Sequence, residues 1–201
     1  MAIGSTVKSD GTPLQVSGKT PVQTGITSGN VIEYFGRDRD KDGNIVSYNE
    51  GQGRFRITIK QANGATLSQV GMEPKPEWAT AVDIMNQQLA HICMMVISEE
   101  EYLKLGEDSG GDFNKFFELV EARVLPALKK AKWHCKIVLT ENGGKFYPKL
   151  AKYPNFLELD GGTAATTLST SLAKGESFVA DYSKVSTPDA PATNDAADPF
   201  Q

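Results

Sequence analysis

The chain has 201 residues, 39% of them hydrophobic and 23% charged, with 21 Lys and Arg against 25 Asp and Glu for a net charge of −4. That size and composition suit one soluble domain with a real core, and exclude a disordered polyanion. No run of about 18 apolar residues exists to cross a membrane, and residues 1–30 carry no apolar core of signal-peptide type. Cys93 and Cys135 are too few for a disulfide scaffold, and both sit in apolar runs, so two buried thiols in a reducing, cytoplasmic compartment are expected.

Residues 1–29 are rich in Gly, Ser, Thr and Pro and read as an extended arm. Val31 to Phe35 reads as a strand, and 36–53 as a polar loop turned by Asp42-Gly43. In Arg54 to Lys60, Phe55, Ile57 and Ile59 form one face while Arg54, Arg56, Thr58 and Lys60 form the other, the period of a half-buried strand. Asn63-Gly64 turns the chain, and Ala65 to Val70 returns as its partner. Pro74 and Pro76 open a helix in which Trp78, Val82, Met85 and Leu89 recur at helical spacing. Residues 91–97 are either the end of that helix or a buried strand. Glu99, Glu100 and Glu101 read as a solvated helix start rather than an acid/base pair. Asp112 is the expected N-cap of a helix with the apolar stripe Phe113, Phe116, Phe117, Val120, Val124 and Leu128, whose last turn Pro126 loosens. Trp133 to Thr140 predicts a strand, with Trp133, Cys135, Ile137 and Leu139 inward and His134, Lys136, Val138 and Thr140 outward. It turns at residues 141–144 and returns through Lys145 to Leu150. Short strands are expected at 156–159 and 177–182.

Strands, then helices, then strands predict an α+β fold, specifically an OB-like small antiparallel β-barrel with inserted helices. The expected organisation is an N-terminal arm over 1–29, the OB-like domain over 30–160, a linker with a possible edge strand over 161–184, and a disordered acidic tail over 185–201.

Charge is uneven along the chain. Residues 132–153 hold five Lys against Glu141 alone, a local net of +4, whereas 185–201 hold three Asp and no basic residue, a local net of −3. Single-stranded nucleic acid needs cations for its phosphates and flat side chains for its bases. The expected cations are Arg37, Arg39 and Lys41 of the loop, Arg54, Arg56 and Lys60 of the alternating strand, and Lys136, Lys145, Lys149 and Lys152 of the later hairpin. Tyr34, Tyr48, Tyr147 and Tyr153 are the candidate stacking platforms. The segment from Asp38 to Ile45 also matches the first eight positions of an EF-hand loop, with Asp38, Asp40 and Asp42 as calcium ligands. Position 12 is Asn49 and the Glu falls one place late, at Glu50. His91, Cys93, His134 and Cys135 do not make a zinc site, because adjacent strand residues 134 and 135 point to opposite faces. No phosphate loop or nucleophile elbow is present, so neither an enzyme nor a cofactor is expected.

The basic body, the Gly/Thr/Ala-rich linker and the terminal Asp198-Pro199-Phe200 resemble the single-stranded DNA-binding proteins of bacteria and their phages. Residues 136–139 with 145–150 resemble a strand pair in phage-encoded members. The family pattern departs here in Gln201, which follows the Phe, and in a tail with only three Asp. The resemblance implies sequence-independent binding of single-stranded DNA in replication, recombination or repair, with a possible homo-oligomer. It also implies a tail that recruits replication or repair proteins through Asp195, Asp198, Pro199 and Phe200. The alternative expectation is a phage structural or assembly protein with a calcium-binding loop.

Overall fold

The alternating segment forms β2 (Arg54–Lys60), flanked by β1 (Gly25–Arg37) and β3 (Thr66–Met72) in an antiparallel meander. The computed structural model describes residues 20–48, 51–152 and 154–180. The remaining elements are α1 (Ala79–Met94), α2 (Glu99–Ser109), α3 (Phe113–Arg123), α4 (Leu125–Lys130), β4 (Trp133–Asn142), β5 (Lys145–Leu150), β6 (Leu157–Leu159) and β7 (Glu176–Ser177).

The fold is α+β, with an antiparallel sheet in the order β3-β2-β1-β4-β5 and with β6 and β7 also paired to β4. β1 is shared between two half-sheets. Its residues 25–30 pair with β4, and its residues 31–37 pair with β2. Register shifts at Thr27/Asn30 and Ile32/Tyr34 mark where the strand turns from one partner to the other. The buried Asn30 fills the first irregularity, its Nδ2 donating to the Thr27 carbonyl at 2.8 Å and the Trp133 carbonyl at 2.9 Å. The sheet remains open, a correction to the expected small β-barrel. β3 lies against β5, where Gln69 Oε1 accepts from the Leu150 N–H at 3.0 Å, but the two strands share no ladder.

The helices occupy the gap between β3 and β4. α2 begins in a capping box: Ser98 Oγ accepts from Glu101 N at 3.2 Å and Glu101 Oε2 accepts from Ser98 N at 2.9 Å. It ends at Gly110, whose φ of 62° is left-handed and therefore suits glycine. Asp112 caps α3 as expected, accepting from Lys115 N at 2.7 Å. Pro126, which lacks the amide proton an uninterrupted helix needs, falls in the first turn of a separate α4. Residues 91–94 complete α1. Trp78, expected in its apolar stripe, instead precedes the first turn and is 57% exposed.

The core is aromatic at its centre. Phe117 of α3 stacks on Phe55 of β2, with ring centroids 5.0 Å apart and planes 8° from parallel, and meets Phe35 of β1 edge-on at 5.6 Å. Trp133 is fully buried, its indole N–H donating to the Leu128 carbonyl at 3.2 Å. Both faces of the first part of β4 are buried, because residues 160–180 run across its outer side. That segment reads as a linker from composition. Here its Thr163 carbonyl lies 2.9 Å from His134 Nε2, its Leu168 is buried, and its residues 176–177 pair with β4. Glu158 anchors it, accepting from the N–H groups of Thr166 and Thr167 at 2.7 Å each and from the Thr167 hydroxyl. Burial acts to raise the Glu158 carboxyl, but these bonds outweigh it and hold the group below its ordinary value.

Gly71 of β3 faces the Phe55 ring so closely that a Cβ placed there would lie 2.1 Å from Phe55 Cε1. Gly71→Ala therefore forces the central stack apart and should cost about 1–3 kcal/mol in urea denaturation; an unchanged midpoint would contradict the packing.

Candidate nucleic-acid interface

Directly opposed residues of an antiparallel pair share a face, so β2 and β3 present Arg54 with Met72, Arg56 with Val70, Thr58 with Ser68 and Lys60 with Thr66 on the side away from the core. Val70 and Met72 are exposed. On β5, Tyr147 and Lys149 lie opposite Thr140 and Val138 of β4, alternating with Pro148 and the buried Leu150, so they too turn outward. β3 lies against β5 where Gln69 meets the Leu150 backbone.

The arginines of this surface are engaged by carboxylates. Asp38, only 1% exposed, sits between two of them: Arg54 Nη2 is 2.7 Å from Oδ2, and Arg56 Nε donates to Oδ1 at 2.6 Å. Glu121 of α3 takes the next pair. Arg37 donates to it from Nε at 3.1 Å, Nη2 at 3.0 Å and its own backbone N–H at 2.7 Å, and Arg39 Nη2 reaches it at 3.2 Å. Glu118 lies 3.5 Å from Arg37 Nη1. Tyr34, expected as a stacking platform, instead places its hydroxyl 2.6 Å from the Arg37 carbonyl and 3.1 Å from Glu121 Oε1, and burial pushes its phenol up. Four guanidinium groups against Asp38, Glu118 and Glu121 leave a net of +1, far less than the sequence pattern implies. Burial acts to raise the Glu121 carboxyl, but the hydrogen bonds and charge of Arg37, aided by the Tyr34 hydroxyl, prevail and hold it below its ordinary value.

Lys136 is 2% exposed, its Nζ donating to the Ser171 carbonyl and lying 6.0 Å from the Phe178 ring centroid. It is thus a structural lysine under the 160–180 segment, a correction to its expected place on an open face. Lys60 is exposed beside Glu33 at 3.7 Å. Lys152 Nζ donates to the Lys174 carbonyl at 3.2 Å. Lys41 and Tyr48 are exposed in the loop between β1 and β2.

The remaining expected residues come together on β5. Tyr147 is 49% exposed, with Lys145 and Lys149 two positions away on the same side of the strand. Among the described residues neither lysine is ion-paired. Tyr153 and the tail residues Asp195, Asp198, Pro199 and Phe200 lie outside the described residues.

Sequence reasoning missed Val70, Met72 and Trp78, which has Lys75 Nζ 5.9 Å from its ring centroid. For Val70 and Met72 the signal was present, since the period of β3 puts both opposite arginines of β2.

The loop in which calcium was the alternative reading is closed by other bonds. The Asp38 carboxylate is taken up by Arg54 and Arg56, while Asp40 folds the turn on itself, accepting from the N–H groups of Asp42 at 2.8 Å and Asn44 at 2.9 Å. Among the described residues no three His, Cys, Asp or Glu side chains converge on a metal-sized point. Burial pushes the Cys93 thiol up to about 12, and Cys135 is pushed higher still by the same cause, so both are unreactive thiols. No helix among the described residues is long and apolar enough to cross a membrane.

Removing the carboxylate between Arg54 and Arg56 leaves two partly buried cations uncompensated. Asp38→Ala should lower stability by about 3 kcal/mol, measured by urea unfolding at neutral pH. The stability that Glu121 contributes is fully present above its unfolded value of 4.5 and is lost as pH falls through its lower folded value. Glu121→Gln should therefore flatten the acid limb of a stability–pH profile, and identical limbs would refute the assignment. No family model, curated protein or solved structure matches the chain.

Proposed function

We propose that the chain binds single-stranded DNA without sequence preference along the outward surface of β5, β3 and β2, in replication, recombination or repair. The observation that carries this reading is the row Lys145, Tyr147, Lys149: an exposed aromatic ring between two lysines that no described carboxylate neutralises. A nucleotide strand running along β5 would stack a base on Tyr147, set its phosphates near the lysines, and lay neighbouring bases on Val70 and Met72. Stacking contributes roughly 1–3 kcal/mol per base, and each phosphate neutralised adds a salt-dependent increment.

The topology supports the same reading. A first strand shared by two half-sheets, helices inserted between the third and fourth strands, and β3 lying against β5 are the features of an incompletely closed OB-like barrel. In such barrels the outer sheet face and its flanking loops take up the strand, and Lys41 and Tyr48 of the loop between β1 and β2 would stand beside its path. The arginines have a different part. Held by Asp38 and Glu121, they stiffen the loop and offer only their remaining N–H groups to phosphate. The tail residues Asp195, Asp198, Pro199 and Phe200 are proposed to recruit a partner protein and, when DNA is absent, to compete for the basic surface.

Fluorescence anisotropy of labelled oligo(dT) at several salt concentrations, with duplex as competitor, tests this. Single-strand-selective binding that weakens with salt is expected. Tyr147→Ala should weaken it roughly 5- to 150-fold, the equivalent of one stacked base. Lys145→Ala and Lys149→Ala should each reduce the salt slope by about 0.7. The chain lacking residues 185–201 should bind more tightly. No binding at low salt, even without residues 185–201, would overturn the proposal.

A further inference from the structure

On the side of the molecule formed by the helices, α1, α2 and the start of α3 enclose an open groove of about 390 Å³. Met85, Leu89, Tyr102, Phe113 and Phe116 line it, and Leu103, 58% exposed, stands in its wall. This is an apolar channel open to water, wide enough for large side chains and unused by the sheet surface described above.

The charge around it is predominantly negative. Residues 73–112 carry nine Asp and Glu against Lys75 and Lys104, a net of −7 where the whole chain has −4. Glu73 and Asp112 themselves line the groove, and Glu77, Asp83, Glu99, Glu100 and Glu107 are exposed on the elements around it. Such a rim repels nucleic acid and favours a cation. An apolar floor between helices takes the apolar stripe of another helix, read as anchors at i, i+3, i+4 and i+7. Together these select one class of occupant.

We infer that this groove docks a basic amphipathic helix of a partner protein, apolar anchors in the channel and Lys or Arg against its acidic rim. The molecule then has two sides of opposite charge, with the partner bound on the helical side, away from the β5 row.

The probe is a labelled synthetic helical peptide with Leu at the four anchor positions and Lys elsewhere, titrated into the full chain by anisotropy. A peptide with Glu in place of Lys is the control. The Lys peptide should bind and the Glu peptide should not. Leu103→Asp adds a negative charge, which by attraction alone would tighten a basic peptide. If the leucines sit in the groove, it instead weakens binding roughly tenfold or more. Leu172→Asp makes the same charge change at an exposed residue of the 160–180 segment and should not weaken it. Leu103 is exposed enough that its variant should fold, which circular dichroism checks, and Leu103→Ser should weaken binding in the same direction.

Failure of the Lys peptide to bind, equal binding of the Glu peptide, or undiminished binding by Leu103→Asp would each overturn the inference. So would self-association of the wild-type chain that Leu103→Asp abolishes, since the occupant would then be a second copy. Oligo(dT) affinity is read separately, so failure here leaves the DNA reading to its own test.

Discussion

The rest of the structure depends on β1 serving two sheets at once. A strand of 13 residues that pairs with β4 along its first half and β2 along its second must change direction without leaving its amide groups unpaired. It does so through two register irregularities, the first plugged by the Asn30 side chain, which satisfies carbonyls that the bend would otherwise strand. Gln61, also buried, clamps the neighbouring segment by exchanging two hydrogen bonds with the Gln23 backbone at 2.8 and 2.9 Å. Because β1 bends, β3 comes round to β5, and the helices close over the aromatic stack of Phe35, Phe55 and Phe117.

That geometry also sets the electrostatics. The loop after β1 returns Asp38 to the outward side of β2, where it meets Arg54 and Arg56, and the end of β1 brings Arg37 and Arg39 to Glu121 of α3. These are cross-links between the loop, the sheet and a helix. Their energetic worth lies in charges that cannot be left alone once partly buried. The positive surface that remains uncompensated is consequently narrower than the count of basic residues implies, and Lys145 and Lys149 of β5 are part of it. The acidic residues concentrate on α1, α2 and the segment before them, where residues 73–112 carry a net of −7.

Much of the fold was legible in the sequence. The alternation of β2, the Asp112 cap and the β4–β5 hairpin follow from local periodicity, turn chemistry and capping, and they formed where those rules place them. The first residues of β1, 25–29, were read as part of an arm, since Gly25, Thr27, Ser28 and Gly29 have no apolar alternation. What makes them a strand is backbone pairing to β4, more than a hundred positions away. The arginine row was correctly assigned to the outward face of β2, but Asp38 as its partner comes from tertiary folding that no period of 2 reveals. Lys136 misled for a related reason: the outer face of β4 is covered by a Ser/Thr/Gly-rich segment that composition marks as linker. Lys145, Tyr147 and Lys149 were legible because they alternate along one strand of a hairpin that local periodicity and turn chemistry predict. The groove was not, since it needs three helices to converge.

The central claim is that a nucleotide strand lies against Tyr147. Photo-crosslinking of the full chain to a bromodeoxyuridine oligonucleotide, followed by mass mapping of the adducts, tests it without a variant. The account predicts an adduct in the peptide that carries Tyr147, lost when unlabelled oligo(dT) is added in excess. Adducts confined to α1, α2 and α3, or none at a concentration that saturates binding, would contradict it.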